Sequence, residues 1–177
     1  MLYGEKVFLR PIELEDLPII HKWRNDSEFI YPGLPDPTPF PKLEEWYEEL
    51  VNSNKKVFLI CDGSNDKPFG TVGISSINVQ SQNAKLEIII GEKEYRGQGF
   101  EIEAVVLFLD YCFKLLNLRR IAVKVDQDNE EYINSFEKVG FRKEGQLRRS
   151  IFKDGRYVDQ YVMAIFKDEY FDRYLKE

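Results

Sequence analysis

Cysteine and histidine are scarce in this chain of 177 residues: it has two of the first and one of the second. His21 belongs to no Cys/His cluster, so no structural zinc site, and no metal, is expected. Cys61 and Cys112 sit in the apolar segments KVFLICD and VVLFLDYCF, where buried free thiols are expected rather than a disulfide. Long basic runs are missing and the formal net charge is −6, which argues against nucleic acid as a partner. No apolar run is long enough to span a membrane, and Met1 leads straight into LYGEK without a signal-peptide pattern. The expected location is therefore cytoplasmic, with no membrane partner. No repeat, low-complexity tract or linker divides the chain. At 43% hydrophobic and 14% aromatic, residues 1–177 are expected to form one domain with a sizeable core.

What is present is organised around Ala84 to Leu116. Ala84, Leu86, Ile88 and Ile90 alternate with Lys85 and Glu87, which reads as a strand closing at Gly91. Ile102, Val105, Val106, Leu109, Cys112, Phe113 and Leu116 then recur at helical spacing. Between them stands Tyr95-Arg96-Gly97-Gln98-Gly99-Phe100. Two glycines one residue apart let the backbone turn tightly and aim N–H groups outward, and a helix N-terminus adds its positive dipole end. Together they suit a phosphate or pyrophosphate, although a plain strand-to-helix connection fits Gly-x-Gly alone equally well. A Walker loop is excluded, because Gly99 is followed by Phe100-Glu101 rather than Lys-Ser/Thr. A dinucleotide fingerprint is excluded too, since it needs three glycines near a first strand.

Around this centre, Lys6–Pro11 reads as a strand and Ile12–Arg24 as a helix. Pro32–Pro41, PGLPDPTPFP, is too proline-rich for a helix interior or central strand. Lys42–Asn52 reads as a helix whose Glu44, Glu45, Glu48 and Glu49 form a solvated face. Val57–Cys61 and Phe69–Val79 read as a hairpin, and Arg120–Val125 as a further strand. Asn129–Val139 is a helix with Asn129 as N-cap and Gly140 as C-cap. Gly145–Phe152 and Arg156–Ile165 form a hairpin turning at Asp154-Gly155, with a short helix, Asp168–Leu175, after it. The order is β-α-α-β-β-β-α-β-α-β-β.

Arg96-Gly97-Gln98-Gly99-Phe100 resembles the acyl-CoA pyrophosphate loop, Arg-x-x-Gly-x-Gly/Ala, of the GNAT N-acetyltransferases. EIIIGEKEYRGQG in mid-chain, LRPIELEDLPIIHKWRND near the start and EKVGFRKEGQLRRSIFKDGRYVDQYVMAIFKDEY near the end are similar to that superfamily's RimJ/RimL-type branch. The resemblance covers nearly the whole chain and implies the GNAT fold, an α/β (α+β) class with a mixed, mostly antiparallel sheet flanked by helices. It implies acetyl-CoA as co-substrate, and a primary amine as acceptor: a protein N-terminus, a polyamine, an amino sugar or an aminoglycoside. Attack would be direct, because no Cys or Ser stands in a nucleophile constellation. The oligomeric state is open, a homodimer being the commonest assembly.

Residue by residue, the resemblance implies that Arg96, Gly97, Gln98, Gly99, Phe100 and Glu101 hold the pyrophosphate. Glu101 departs from the pattern, and its carboxylate would repel that group unless it swings away. Backbone groups of Ile89, Ile90 and Gly91, on a central strand splayed from its neighbour, would hold the pantetheine arm, one N–H serving as oxyanion donor. Asn129 would contact the same arm. Glu87 is the candidate general base, with a surface Lys85–Glu87 face as its plain alternative. The general acid is often a Tyr where this chain has Phe136, which has no proton to give. Tyr132, one turn earlier, is the candidate in its place. Pro32–Pro41 and the closing hairpin, with Asp159, Arg148 and Arg149, would shape the acceptor side. The alternative from another class is a GNAT-shaped binding module without catalysis, marked by Glu101, Phe136 and the Lys85/Glu87 exchange.

Overall fold

Alternation along a strand decides which face each side chain takes, and the computed structural model, in which residues 1–26 and 36–175 are described, follows it. The elements in chain order are β1 (Leu2–Tyr3), β2 (Val7–Pro11), α1 (Leu17–Arg24), α2 (Phe40–Asn52), β3 (Lys56–Asp62), β4 (Pro68–Asn78), β5 (Asn83–Ile90), α3 (Phe100–Lys114), β6 (Arg120–Asp126), α4 (Glu130–Val139), β7 (Arg142–Lys153), β8 (Arg156–Phe166) and α5 (Lys167–Tyr174). The strands make one sheet in the order β1-β2-β3-β4-β5-β6-β8-β7. Only β5 and β6 run parallel; the other neighbours are antiparallel.

Val7, Leu9, Ile60, Val72, Leu86, Ile121 and Met163 point to one face, where Phe108 and Leu109 of α3 and Ile133 and Phe136 of α4 cover them. Leu59 and Cys61 point to the other, beneath Leu17, Ile20 and Trp23 of α1 and Leu43 of α2. Both cysteines are free and buried. The expected element order holds, and its boundaries shift for identifiable reasons. The expected helix Ile12–Arg24 opens instead as a 3-10 turn, Leu14–Asp16, and becomes α-helical at Leu17. Pro18, lacking an N–H, is tolerated in a first turn but not in a helix interior. Asp16 holds that turn, accepting from Glu13 N–H and from the two terminal guanidinium nitrogens of Arg10. Pro41 likewise falls in the first turn of α2, which starts at Phe40 rather than Lys42. β1 was not expected; two residues carry no periodicity. β7 begins at Arg142, three residues before the expected Gly145.

Asn129 caps α4, its Oδ1 accepting from Tyr132 N–H at 3.2 Å, and Gly140 ends it with φ +118°. Asp154 and Gly155 turn the closing hairpin with φ of +51° and +75°, the pair of positive values a two-residue hairpin loop of this hand demands. Of the proline-rich stretch Pro32–Pro41, residues 32–35 lie outside the described residues. Thr38 is buried and clasped to Asn25, whose Oδ1 accepts Thr38 N–H while its Nδ2 donates to Thr38 O.

Candidate active site

The parallel pair β5–β6 is joined only at Asn83–Arg120, Ala84–Ile121 and Lys85–Ala122. Beyond Lys85 the strands part, while β5 stays paired to β4 as far as Ile90–Gly70. One edge of β5 is thereby left open. Alternation says which groups face the opening. Gly91 N–H donates to Phe69 O at 2.8 Å, toward β4, and Ile89 N–H shares that direction. Of the three expected backbone donors, Ile90 is thus the one whose N–H faces the splay. Its carbonyl faces the same way and accepts Arg96 Nε at 3.0 Å, while Gly91 O accepts Arg96 Nη2 at 3.1 Å. The Tyr132 hydroxyl meets Ile90 N–H. Arg96 therefore ties the loop to the end of β5, a role the sequence did not show.

At the mouth of the splay, Gly97 and Gly99 have φ of +68° and +84°. L side chains rarely adopt such values, so the glycines are there for backbone conformation. Gly99 is the N-cap of α3; its carbonyl already accepts Ile102 N–H at 3.2 Å, which leaves the amides of Phe100 and Glu101 as the helix's opening donors beside the loop. This geometry fits a phosphate-bearing ligand. Gln98 turns its amide back onto Glu94 O. Glu131, from the first turn of α4, brings its carboxylate to 3.5 Å from where a Cβ on Gly97 would stand. Glu101 does not cover the loop. It swings inward between α3 and α4, is 4% exposed, and accepts from Ser135 Oγ at 2.9 Å.

Tyr132 lies beside Glu101. Burial, then the carboxylates of Glu101 and Glu131, push its phenol up to about 12, against a smaller downward pull from Ile90 N–H and Arg96. Phe136 packs in the core, edge-on to Tyr132 and Phe141. Glu87 is exposed on the opposite face of the sheet and accepts from Ser75 Oγ at 2.5 Å. That face is open over β5 and β6. Asp126 lies on it too, with Lys153 Nζ and Gln160 Nε2 donating to it at 3.2 and 2.9 Å. Asp159 accepts from Arg149 N–H and Gln146 Nε2, pairings internal to the closing hairpin.

The far end of β5 is closed by groups that sequence reasoning missed. The Trp23 ring of α1 lies on Gly91 so closely that an added Cβ would stand 2.2 Å from it. Glu92 is buried beside it, accepting from Trp23 Nε1 at 2.9 Å and Lys22 Nζ at 3.0 Å. Burial pushes the Glu92 carboxyl up, but these two bonds and the Lys22 and Lys67 charges outweigh it and hold the group below the usual range. Gly91 itself was the available signal: a glycine closing a strand marks close approach by another group.

Residues 6–142 match the family model described as Acetyltransferase (GNAT) domain. The chain belongs to the GNAT acetyltransferases. These comparisons do not specify the RimJ/RimL-type branch. The chain is 34% identical over 170 residues to a spermidine N(1)-acetyltransferase of Escherichia coli, covering 94% of this chain and 89% of that one. It is also similar to the crystal structure of the Vibrio cholerae spermidine N-acetyltransferase in complex with CoA and spermine. There the TM-score is 0.87 at 31% identity, with 94% of this chain and 99% of that one covered. A dodecameric structure of the Vibrio cholerae enzyme matches with a TM-score of 0.85 at 31% identity, covering 97% and 99%. As a GNAT member the chain is an acetyl-CoA-dependent acyltransferase acting on amines. No helix of the described residues is long and apolar enough to cross a membrane.

Proposed function

We propose that this GNAT enzyme acetylates a primary amine of a polyamine, of the spermidine and spermine class, by direct attack on acetyl-CoA. The observation that carries this is the splay of β5 from β6, with Ile90 N–H facing the gap and two left-handed glycines at its mouth. Acetyl-CoA supplies the activated thioester. The loop Arg96–Phe100 and the N-terminus of α3 hold its phosphates, Ile90 N–H is the oxyanion donor once the thioester displaces the Tyr132 hydroxyl from it, and Asn129 borders the pantetheine arm. Glu87, on the open face, takes the ammonium proton, directly or through a water. As the new C–N bond forms and the C–S bond breaks, the electron pair leaves with sulfur, and Tyr132 O–H gives it a proton.

A cationic acceptor is supported by the carboxylates of Glu87 and Asp126 on one open face, by the net charge of −6, and by the acceptors named for the similar enzymes. An intramolecular ammonium, Lys153, already rests on Asp126. The oligomer is a proposal on the same footing: a multimer, as in the dodecameric structure above. The feature that would have favoured a non-catalytic binding module, a Glu101 carboxylate across the phosphate path, is not what the geometry has; it faces Ser135.

Titration calorimetry with acetyl-CoA, followed by a thiol-release assay across four acceptors, tests this. The acceptors are spermidine, spermine, a peptide with a free N-terminus and an aminoglycoside. Acetyl-CoA is expected to bind with a dissociation constant on the order of micromolar, and the polyamines to be turned over fastest. Failure to bind acetyl-CoA would end the enzyme proposal; faster turnover of the peptide or the aminoglycoside would end the polyamine one.

A further inference from the structure

The loop assigned to the phosphates is fastened at a point that the steps above do not use. Tyr95 and Phe100 flank its two glycines, and both rings meet Phe69 of β4. Phe69 and Tyr95 stack nearly flat, with centroids 4.2 Å apart and planes 8° from parallel. Phe100 stands edge-on to both, 5.7 Å from Phe69 and 5.1 Å from Tyr95. The carbonyl of the same Phe69 accepts the N–H groups of Gly91 and Glu92. One residue of β4 thus gathers the two ends of the loop and the end of β5. Stacking leaves a ring some freedom to slide, and the Tyr95 hydroxyl removes it. That hydroxyl donates to Asp62 Oδ2 at 2.8 Å, a buried bond across 33 residues, and a bond to an ionised acceptor is among the strong ones. Asp62 ends β3 and is itself held. Its Oδ1 accepts the Ser64 N–H and hydroxyl at 2.8 and 2.7 Å, and its Oδ2 also accepts Asn65 Nδ2 at 3.3 Å. Lys67, from the same turn, pairs with Glu94 beside Tyr95.

We propose that Asp62 is a positioning residue for acetyl-CoA binding, acting through Tyr95 on the loop Arg96–Phe100. Its carboxylate oxygens are taken by protein donors, so its part is to hold the loop and not to touch the cofactor. With the Tyr95 ring stacked and its hydroxyl tied, the chain leaves residue 95 in one direction. Gly97 and Gly99 then make their left-handed turns from a fixed start, and the amides that open α3 are set for a pyrophosphate before it arrives. A loop that fills its binding conformation only part of the time binds with its affinity reduced by that fraction. The clasp therefore acts on the phosphate end of the cofactor, and the open edge of β5 on the thioester end. The inference rests on the acetyl transfer proposed above, with this loop as the phosphate site.

The test uses Tyr95→Phe, which keeps the ring stack, together with Asp62→Ala and the double variant Asp62→Ala/Tyr95→Phe. Two acetyl donors are compared: acetyl-CoA, and acetylpantetheine, which carries the thioester arm without the phosphates. Each single variant is expected to raise Kd and KM for acetyl-CoA about tenfold, with kcat at saturation within about twofold of wild type. With acetylpantetheine, kcat/KM is expected to match wild type. The double variant is expected to bind acetyl-CoA no more weakly than Asp62→Ala, because both changes remove the same bond. Without ligand, the Arg96 amide, which donates to Lys93 O at 3.1 Å, is expected to exchange about tenfold faster in both single variants. If Asp62→Ala does not fold, Tyr95→Phe carries the test alone. A merely structural part would lower the urea midpoint and leave the affinity for acetyl-CoA as it was, and that result overturns the inference. An equal loss with both donors overturns it as well, as does wild-type exchange at Arg96 in Tyr95→Phe. Failure of the proposed function shows differently, as a wild type that binds no acetyl-CoA, and the exchange at Arg96 still decides whether Asp62 holds the loop.

Discussion

Along its β4 side, strand β5 is paired through Ile90, and Phe69 O extends the bonding to the N–H groups of Gly91 and Glu92. Along its β6 side the pairing stops at Lys85. The first side commits its peptide groups to the fold. The second leaves them to side chains: Arg96 on the carbonyls of Ile90 and Gly91, Tyr132 on the Ile90 N–H. A ladder of backbone bonds does not dissolve for a ligand, but a guanidinium or a phenol can turn aside. One strand thus serves as scaffold on one edge and as binding surface on the other.

If that division is right, substitutions at the closed side should act on stability and those at the open side chiefly on turnover. The largest stability effect is expected from Gly91→Ala, whose Cβ would run into the Trp23 ring. Overpacking of this kind should cost about 3 kcal/mol, read as a lower midpoint in urea unfolding. A loss below roughly 0.5 kcal/mol would break the comparison. Next comes acid sensitivity. The folded-state value of Glu92 is depressed, so its contribution is present above the ordinary glutamate range and lost as the pH falls through the folded value. Unfolding of wild type and Glu92→Gln at pH 7 and in steps below about pH 4 should show the variant less stable at neutrality and the gap closing with acid. A gap independent of pH would mean that the carboxylate's charge is immaterial there. The smallest effect belongs to Asn129→Ala on the open side. It removes one cap bond, and about 1 kcal/mol of stability should go with it. A much larger loss would mean that the open side is as load-sharing as the closed one.

The strands, the helices and the loop were legible because local rules decide them. Gly97 and Gly99 can take their positive φ values in any fold, and Asn129 and Gly140 cap a helix wherever it is placed. The splay was foreseen only through family resemblance, since nothing in the alternation of β5 tells it to leave β6. The contacts that finish the site are long-range. Trp23 reaches Glu92 across 69 residues and Ser135 reaches Glu101 across 34. Neither pairing leaves a local pattern. Glu101 shows the point most clearly: its position in the first turn suggested a carboxylate near phosphate, and only the packing of α3 against α4 turns it the other way.

The contact between Trp23 and Gly91 also limits how this chain can change. Residue 91 sits one position from the Ile90 amide, and residue 23 sits on the helix that covers the opposite face. Neither can grow without the other shrinking. A lineage that alters α1 must therefore either keep an aromatic ring above a glycine or exchange both at once. The seating of that helix and the end of the splayed strand would be inherited as a single unit.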